Sequence, residues 1–171
     1  MTKFLLRPWQ EEDLKSLCNY ANNIIISSNL TNRFPYPYTE SDGKKFIQMA
    51  MSKLPTQIFC IEIQNEAAGG IGIHSQEDIF YKNAELGYWL AEKHWGQGII
   101  TDAIHQVCKY TFNNLPIERI FARPFDTNIP SQKVLEKNNF KLEARLEKTI
   151  FKNGEYKDEL IYAIRKKDFL K

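Results

Sequence analysis

Residues 83–112 read NAELGYWLAEKHWGQGIITDAIHQVCKYTF, and this stretch decides the fold because three segments of different character follow one another in it. Residues 83–91 alternate polar and apolar side chains around Glu85, which indicates a strand. Residues 92–98 contain Gly96 and Gly98, and residues 99–112 repeat apolar side chains at the spacing of one helix face. The stretch therefore predicts a strand, a glycine-bearing turn and an amphipathic helix.

The turn before this helix is predicted to bind a phosphate. The start of a helix leaves about four backbone N–H groups without partners and carries roughly half a positive charge, so an anion fits there. Gly96 and Gly98 let the main chain approach a ligand and adopt dihedral angles that a side chain would forbid. The predicted buried face of the helix consists of Ile100, Ala103, Ile104, Val107, Cys108 and Thr111.

Two other phosphate-binding motifs differ from this turn in sequence or in context. The P-loop requires Gly, four residues and then Gly-Lys-Ser/Thr, and that string does not occur in the chain. The dinucleotide fingerprint could use Gly96 and Gly98 with Thr101 in third place, and Glu118 follows at the distance of a ribose ligand. Too few residues follow Glu118 for a full dinucleotide-binding fold, so a Rossmann-type oxidoreductase is only an alternative.

The chain resembles the GNAT superfamily of acyl-CoA N-acyltransferases. Ala84-Glu85-Leu86-Gly87-Tyr88-Trp89-Leu90 followed by Trp95-Gly96-Gln97-Gly98-Ile99 is similar to the central motif of that family, whose loop cradles the coenzyme A pyrophosphate. Further residues resemble the ribosomal-protein N-terminal (alanine/serine) acetyltransferase branch: Arg7, Trp9, Phe34-Pro35-Tyr36-Pro37-Tyr38-Thr39, Asn128, Ser131, Val134, Leu135, Glu136, Lys137 and Phe140. The chain departs from the general family pattern at Trp95, at Ile100 and at Asn139, which replaces a glycine.

The resemblance implies one GNAT-like domain over residues 1–171, of α/β (α+β) class, with a mixed, largely antiparallel sheet of six to seven strands and helices on both faces. It implies direct transfer of an acetyl group from acetyl-CoA to a primary amine in a ternary complex. The acceptor would be the N-terminus of a ribosomal or other protein, or a small amine such as a polyamine, an amino acid or an aminoglycoside. A catalytically silent acyl-CoA-binding module or interaction protein is the alternative.

Acetyl transfer requires a base, an oxyanion site and an acid. Glu85 is predicted to be the base, because a carboxylate held among apolar groups is suited to accept a proton; a structural Glu85 bound by backbone amides or an arginine is the alternative, and His74 is a second base candidate. By resemblance, a backbone N–H near Leu90 would face the thioester carbonyl. Ser131 would protonate the leaving thiolate, with Tyr88 as the alternative acid.

The residues predicted by resemblance to bind acetyl-CoA lie in two places. They are Trp89, Leu90, Ala91, Trp95, Gly96, Gln97, Gly98, Ile99, Ile100 and Thr101 in the central motif, and Asn128 later in the chain. Residues 89–91 would pair with the pantetheine arm in strand fashion. Asn128 and Ser131 could instead be simple helix caps, since both residue types are common there. The loop with Phe34, Tyr36 and Tyr38 would either cover the core or form part of the acceptor wall.

The composition is that of a globular domain, with 43% hydrophobic and 26% charged residues among 171 and a formal net charge of +2. This balance indicates no partner among nucleic acids or membranes. Apolar runs are shorter than the ~20 residues of a membrane span, and the N-terminus lacks a signal-peptide core, so a cytoplasmic location is expected. The protein is expected to be a monomer or a homodimer. Cys18, Cys60 and Cys108 lack metal-ligand spacing, so they are predicted to be buried hydrophobic residues, and no metal is expected.

The remaining elements are predicted from periodicity and from turn residues. Strands are predicted at residues 2–9, 57–64, 68–74, 117–123, 140–151 and 156–165. Helices are predicted after Glu11–Asp13, from Thr39 or Ser41 to Pro55, and from Asn128 to residues 138–139. The glycines of the third strand suggest a bulge or a close backbone approach. The strand at 117–123 is expected to lie parallel to the strand of Glu85, since one helix connects them.

Overall fold

A computed structural model describes residues 3–169 of the protein and divides the chain into two compact units. The first unit contains the residues up to Gly72 together with Tyr88–Ala103. The second contains Ile73–Gly87 and the residues from Ile104 onward. Two strands and one helix contain residues of both units. The central stretch 83–112 therefore has residues in each unit.

The N-terminal part of the chain contains three helices and three strands. They are β1 Leu5–Pro8, α1 Leu14–Ala21, α2 Ile24–Ser27, α3 Glu40–Met51, β2 Ile58–Ile63 and β3 Glu66–Ser75. Strand β2 pairs antiparallel with both β1 and β3. Helix α3 begins at a capping box in which Thr39 accepts from the Asp42 N–H, while the Asp42 carboxylate accepts from Thr39 N–H at 2.9 Å. The predicted cap of this helix is therefore confirmed at Thr39.

Strand β3 has both features that its glycines suggest, a bulge and a close backbone approach. The register between β2 and β3 shifts at Ile61/Glu62, so that Ala68 is the extra residue of a bulge. A Cβ built at Gly69 would lie 2.6 Å from the Trp89 carbonyl oxygen, a separation that no side chain tolerates. The hairpin turn before β3 has positive φ at Gln64 and Asn65. The bulge and the close backbone approach are both confirmed.

The C-terminal part contains the remaining elements: β4 Asn83–Leu90, α4 Ile99–Asn114, β5 Arg119–Ala122, α5 Ile129–Lys137, β6 Lys141–Lys152, β7 Glu155–Arg165 and α6 Lys166–Phe169. Strands β4 and β5 pair parallel, with Glu85 opposite Phe121, while β7 pairs antiparallel with β5 and with β6. The seven strands form one sheet in the order β1-β2-β3-β4-β5-β7-β6. A mixed and largely antiparallel sheet is confirmed, and it does not have the strand order of a dinucleotide-binding fold.

The buried face of α4 agrees with the predicted face, with two changes. Ile99 is 1% exposed and Phe112 is fully buried, whereas Ile100 is half-buried. Ala103, Ile104, Val107, Cys108 and Thr111 are buried as predicted. The helix stops where the sequence places its end, within two residues. Helical periodicity therefore located this element well.

Several predictions of burial and length were wrong at the edges of elements. Helix α3 ends at Met51, which is exposed, and Leu54 is also exposed, so neither extends its apolar face. Cys60 and Cys108 are buried, but Cys18 is only half-buried. The first strand is shorter than predicted, and Thr2 lies outside the described residues. Burial at the end of an element depends on its neighbours rather than on its own period, which explains these errors.

No helix within residues 3–169 combines the length and apolarity needed to cross a membrane.

Candidate functional site

The turn that precedes α4 has the backbone conformation that its glycines predict. Gly96 has φ +74° and Gly98 has φ +79°, both in the left-handed region that favours glycine. A Cβ built at Gly96 would meet no atom within 4 Å, so the space beside this residue is open. The indole Nε1 of Trp95 donates to the Leu90 carbonyl at 2.8 Å, and Gln97 Nε2 donates to the Lys93 carbonyl at 3.2 Å. Side chains of the turn therefore fold it back onto the end of β4.

The N-terminus of α4 supports an anion site. Asp102 N–H donates to the Gly98 carbonyl at 3.1 Å, and a helix that begins with this bond offers the N–H groups of Ile99 and Ile100 no acceptor of its own. Gly98 has no side chain that could cap them. These amides and the positive end of the helix dipole suit a phosphate group, and the open, glycine-lined turn leaves room for one. The residues present therefore fit the pyrophosphate of coenzyme A.

The end of β4 is partly committed to the protein's own hydrogen bonds. Ala91 N–H donates to the Ala68 carbonyl at 2.7 Å, and the Leu90 carbonyl already accepts from Trp95. Trp89 is 8% exposed, and its ring lies 5.5 Å from that of Phe34. Strand-like pairing of residues 89–91 with pantetheine, which remains a prediction, would have to use other backbone groups than the Ala91 N–H. The Phe34 loop covers Trp89 in this unit.

A short helical turn, Glu92–His94, links β4 to the glycine turn. It contacts α1 and the residues that follow the C-terminal end of α1. Asn23 Nδ2 donates to the Glu92 carboxylate at 2.8 Å. The Lys93 ammonium lies over the Tyr20 ring at 4.5 Å, and the Tyr20 hydroxyl donates to Glu66. Burial, and to a lesser degree the charge of Lys93, lowers the pKa of His94. These contacts fix the segment from which the phosphate turn starts.

The sequence suggested that Glu85 lies among apolar groups, but in the structure its carboxylate is bound by an arginine. Its two carboxylate oxygens accept from Arg123 Nε and Nη2, each at 3.0 Å. Arg123 Nη1 also lies 3.3 Å from a carboxylate oxygen of Glu159 on β7. The hydrogen bond to Glu85 raises the pKa of Arg123. The alternative prediction, that an arginine binds Glu85, therefore describes its environment. Every second residue of a strand points to the same face, and Glu85 lies on the more polar face of β4. Its role as a base stays a prediction.

The two alternative proton-transfer residues lie on the neighbouring strand and on β4 itself. His74 is exposed near the end of β3, and its Nε2 is 3.7 Å from the position of a Cβ built at Gly87. Tyr88 is half-buried on β4. Both residues stay alternatives for proton transfer.

The start of α5 brings Asn128 and Ser131 together. Asn128 is the N-cap, and its Oδ1 accepts from the Ser131 N–H at 3.2 Å. Gln132 Nε2 donates to the carbonyls of Phe125 and Asp126, which fixes the loop that leads into the helix. Both residues of the pair are half-buried. The cap interpretation is confirmed for the amide oxygen of Asn128, while the functional roles of Asn128 and Ser131 stay predictions.

Arg123 and Glu159 were not singled out in the sequence. Arg123 lies one residue beyond β5, two positions after the residue that pairs with Glu85. The sequence predicted that the strand of Glu85 and the strand that Arg123 follows are parallel neighbours, but only the register shows that the two side chains reach each other. Within residues 3–169, no group of three or more His, Cys, Asp or Glu side chains is arranged to hold a metal ion.

Comparisons with known proteins agree with this geometry. Residues 3–141 match the family model described as an acetyltransferase (GNAT) domain. A ribosomal-protein-serine acetyltransferase of Escherichia coli (strain K12) is 32% identical over 128 residues, which cover 73% of this chain and 71% of that protein. An uncharacterized N-acetyltransferase p20 of Bacillus licheniformis is 29% identical over 177 residues, covering 98% and 95% of the two chains.

A solved structure is similar over almost the whole chain. It is a ribosomal L7/L12 α-N-protein acetyltransferase in complex with coenzyme A, with a TM-score of 0.85, 25% identity and coverage of 96% of this chain and 95% of that chain. The predicted resemblance in family and fold is confirmed by these comparisons.

Proposed function

This chain belongs to the acetyltransferase (GNAT) family, and we propose that it transfers the acetyl group of acetyl-CoA directly to the N-terminal amine of a protein. The protein is an acetyl-CoA-dependent N-acetyltransferase, and acetyl-CoA is its co-substrate. The proposed acceptor is supported by the 32% identity, over 73% of the chain, to a ribosomal-protein-serine acetyltransferase. A small primary amine is the alternative acceptor.

The glycine turn at the start of α4 is the observation that carries the cofactor part of this proposal. The positive φ angles of Gly96 and Gly98 turn the backbone toward the helix start, where amides without helical acceptors would bind the pyrophosphate. Ile99 and Ile100 would contribute their amides, with Thr101 next to them, so the side chain of Ile100 does not prevent binding. Acetyl-CoA supplies the acetyl thioester. Trp95 and Gln97 hold the shape of the turn through their bonds to backbone carbonyls.

Residues of the second unit are proposed to move the protons. Ser131 would donate a proton to the departing thiolate, and its position in the first turn of α5 is fixed by Asn128. Asn128 would use its amide N–H₂ to contact the pantetheine arm, since its oxygen is occupied by the cap. Glu85, paired with Arg123, would accept the proton of the substrate ammonium. A base of this kind serves transfer because only a neutral amine attacks a thioester.

An acceptor panel tests the proposed function. The purified protein is incubated with acetyl-CoA and one of three acceptors. They are lysine-containing peptides with a free N-terminus, the same peptides with a blocked N-terminus, and spermidine. We expect thiol release and a mass gain only with the free N-termini. Transfer restricted to lysine side chains or spermidine would contradict the proposed acceptor, and no transfer to any amine would contradict the proposed function.

Direct transfer has a separate test. A ternary-complex reaction gives intersecting initial-velocity lines when both substrates are varied, and no acetyl group remains on the protein when the acceptor is omitted. Cys60 and Cys108 are buried, and burial raises the pKa of the Cys60 thiol to about 12, so neither is suited to carry an acetyl group. Parallel lines together with a labelled protein would contradict direct transfer.

Replacing Ser131 tests its proposed role. In Ser131→Ala we expect kcat to fall by about 10²- to 10⁴-fold with little change in the KM for acetyl-CoA, because a positioned acid is lost. Ser52→Ala, which removes a hydroxyl that bonds the Met49 carbonyl at the end of α3, is the control. Equal kcat values for Ser131→Ala, Ser52→Ala and the unmodified protein would refute the role of Ser131 as the acid.

A further inference from the structure

We infer that Arg123 is a positioning residue that holds the Glu85 carboxylate in the orientation needed to accept the proton of the substrate ammonium. This inference rests on the proposed function, in which Glu85 is the proton acceptor. Arg123 lies beyond the last residue of β5 and touches Glu85 through two nitrogen atoms at 3.0 Å. Two parallel hydrogen bonds from a planar guanidinium fix both the direction and the rotation of the carboxylate, which one bond would not do.

Exposure within the ion-pair group indicates which member lies outermost. The side chain of Arg123 is 46% exposed, that of Glu85 is 28% exposed and that of Glu159 is 17% exposed. The guanidinium therefore covers two carboxylates that lie deeper than it does. Glu159 anchors Arg123 from the β7 side at 3.3 Å, so that the guanidinium is held on two strands rather than swinging on its flexible stem.

The charged groups around Glu85 come from three other strands. Arg123 follows β5, and Glu159 lies on β7. Arg119 on β5 donates to Asn83 at 3.1 Å, two residues before Glu85 on β4. His74 on β3 lies beside Gly87, two residues after Glu85. Arg123 bonds the carboxylate of Glu85 directly, so its removal should change the orientation of Glu85.

The expected effect follows from the geometry of the pair. A guanidinium that bonds both carboxylate oxygens fixes their direction, and a variant without these two donors leaves the carboxylate free to rotate. A misplaced catalytic group costs up to about 100-fold in rate, so in Arg123→Gln we expect kcat to fall by about 10- to 100-fold. The KM for acetyl-CoA should not change.

Three further variants separate orientation from charge and from stability. Arg123→Lys keeps the charge but loses the two-pronged geometry, so kcat should fall nearly as far as in Arg123→Gln. Arg165→Gln is the matched control, because Arg165 is 49% exposed and pairs with Glu143 at 2.6 Å. It should leave kcat unchanged. Adding Arg123→Gln to Glu85→Gln tests whether Arg123 acts through Glu85, because the second change should then cause little further loss.

The experiment measures kcat and the KM for acetyl-CoA for these proteins at saturating acceptor peptide. The expected result is a lower kcat in Arg123→Gln and Arg123→Lys, an unchanged KM and little further loss in the double variant. A kcat of Arg123→Gln equal to that of Arg165→Gln, or a loss in the double variant that equals the product of the two single losses, would overturn the inference. The proposed function fails separately, if the unmodified protein acetylates no amine, and the inference then fails with it.

Discussion

Two helices of this protein follow the two strands of the parallel β4–β5 pair along the chain, each after a loop, and they start in different ways. Helix α5 begins at Asn128, whose side chain caps the Ser131 N–H, and Pro130 occupies a position of the first turn whose own N–H is not needed. Helix α4 begins after Gly98, which has no side chain, and the turn before it has two glycines with positive φ. The first start has a side-chain cap, whereas the second, called the open start below, has a glycine in the place of one.

The difference shows how one structural element serves either stability or binding. A capped helix start lends about 1 kcal/mol of stability, because an orphan amide gains an acceptor. An uncapped start forgoes that gain and keeps its amides for an anion from solution. The turn before α4 is stabilised instead by hydrogen bonds from the side chains of Trp95 and Gln97 to carbonyls of the preceding segment. We regard the open start as the binding element and the capped start as the scaffold that positions Ser131.

Closing the open start should have the largest effect. Gly98→Asp places an acceptor and a negative charge beside the first amides of α4, so we expect acetyl-CoA affinity to fall by about 100-fold or more, equivalent to about 2.7 kcal/mol. Isothermal titration calorimetry measures this loss. Gly154→Asp is the control, because Gly154 has φ +81° in the open β6–β7 hairpin and so suffers similar backbone strain. Equal affinities for the two variants would contradict the proposed pyrophosphate site.

Changing the cap of α5 should have a smaller effect, and its parts on stability and on acetyl-CoA binding can be separated. Asn128→Asp keeps an oxygen that can accept from Ser131 N–H but loses the amide donor, whereas Asn128→Ala loses both. We expect Asn128→Ala to lower the free energy of unfolding by about 1 kcal/mol and Asn128→Asp to leave it nearly unchanged. Both should weaken acetyl-CoA binding about tenfold, as expected for one lost hydrogen bond of ~1.4 kcal/mol. Urea unfolding and calorimetry separate the two quantities.

If Asn128→Asp binds acetyl-CoA as tightly as the unmodified protein, Asn128 is a cap alone. The predicted contact with pantetheine would then be wrong, while the comparison between the two helix starts would stand.

The smallest effect is expected where the open start is braced. Trp95→Phe keeps an aromatic ring but removes the indole N–H that donates to the Leu90 carbonyl, so we expect a stability loss of about 1 kcal/mol. Acetyl-CoA affinity should fall only a few-fold, because the helix amides remain. Thermal unfolding with and without acetyl-CoA measures both changes. A loss of affinity as large as that of Gly98→Asp would mean that the indole, rather than the helix start, carries the binding.

Much of the fold was predictable because its signals are local. The strand at 83–91 is observed at Asn83–Leu90, and the helix at 99–112 is observed at Ile99–Asn114. Asn139 adopts φ +62°, as expected of an asparagine that replaces glycine at a helix end. The predicted hairpin between β6 and β7 has positive φ at Asn153 and Gly154. Periodicity, caps and turn residues each act over a few positions, so one sequence suffices to read them.

The site was predictable in part. The glycine turn and the Asn128–Ser131 cap are contiguous in sequence, and both are observed as local structures. The surroundings of Glu85 were predicted wrongly, because alternation along β4 shows which neighbours share a strand but not what approaches from the next one. Arg123 is 38 positions away, and Glu159 is further still. No local pattern links these three residues.

The sequence by itself determined the open start of α4, because glycine dihedral angles, missing side-chain caps and helix periodicity are properties of neighbouring residues. Only the tertiary structure decided the partner of Glu85. The parallel register that sets Glu85 opposite Phe121 brings Arg123, two residues further along, within reach of Glu85, and Glu159 of β7 lies 3.3 Å from the same guanidinium. Register depends on the packing of whole strands, so charge partners across a sheet become visible only when the chain is folded.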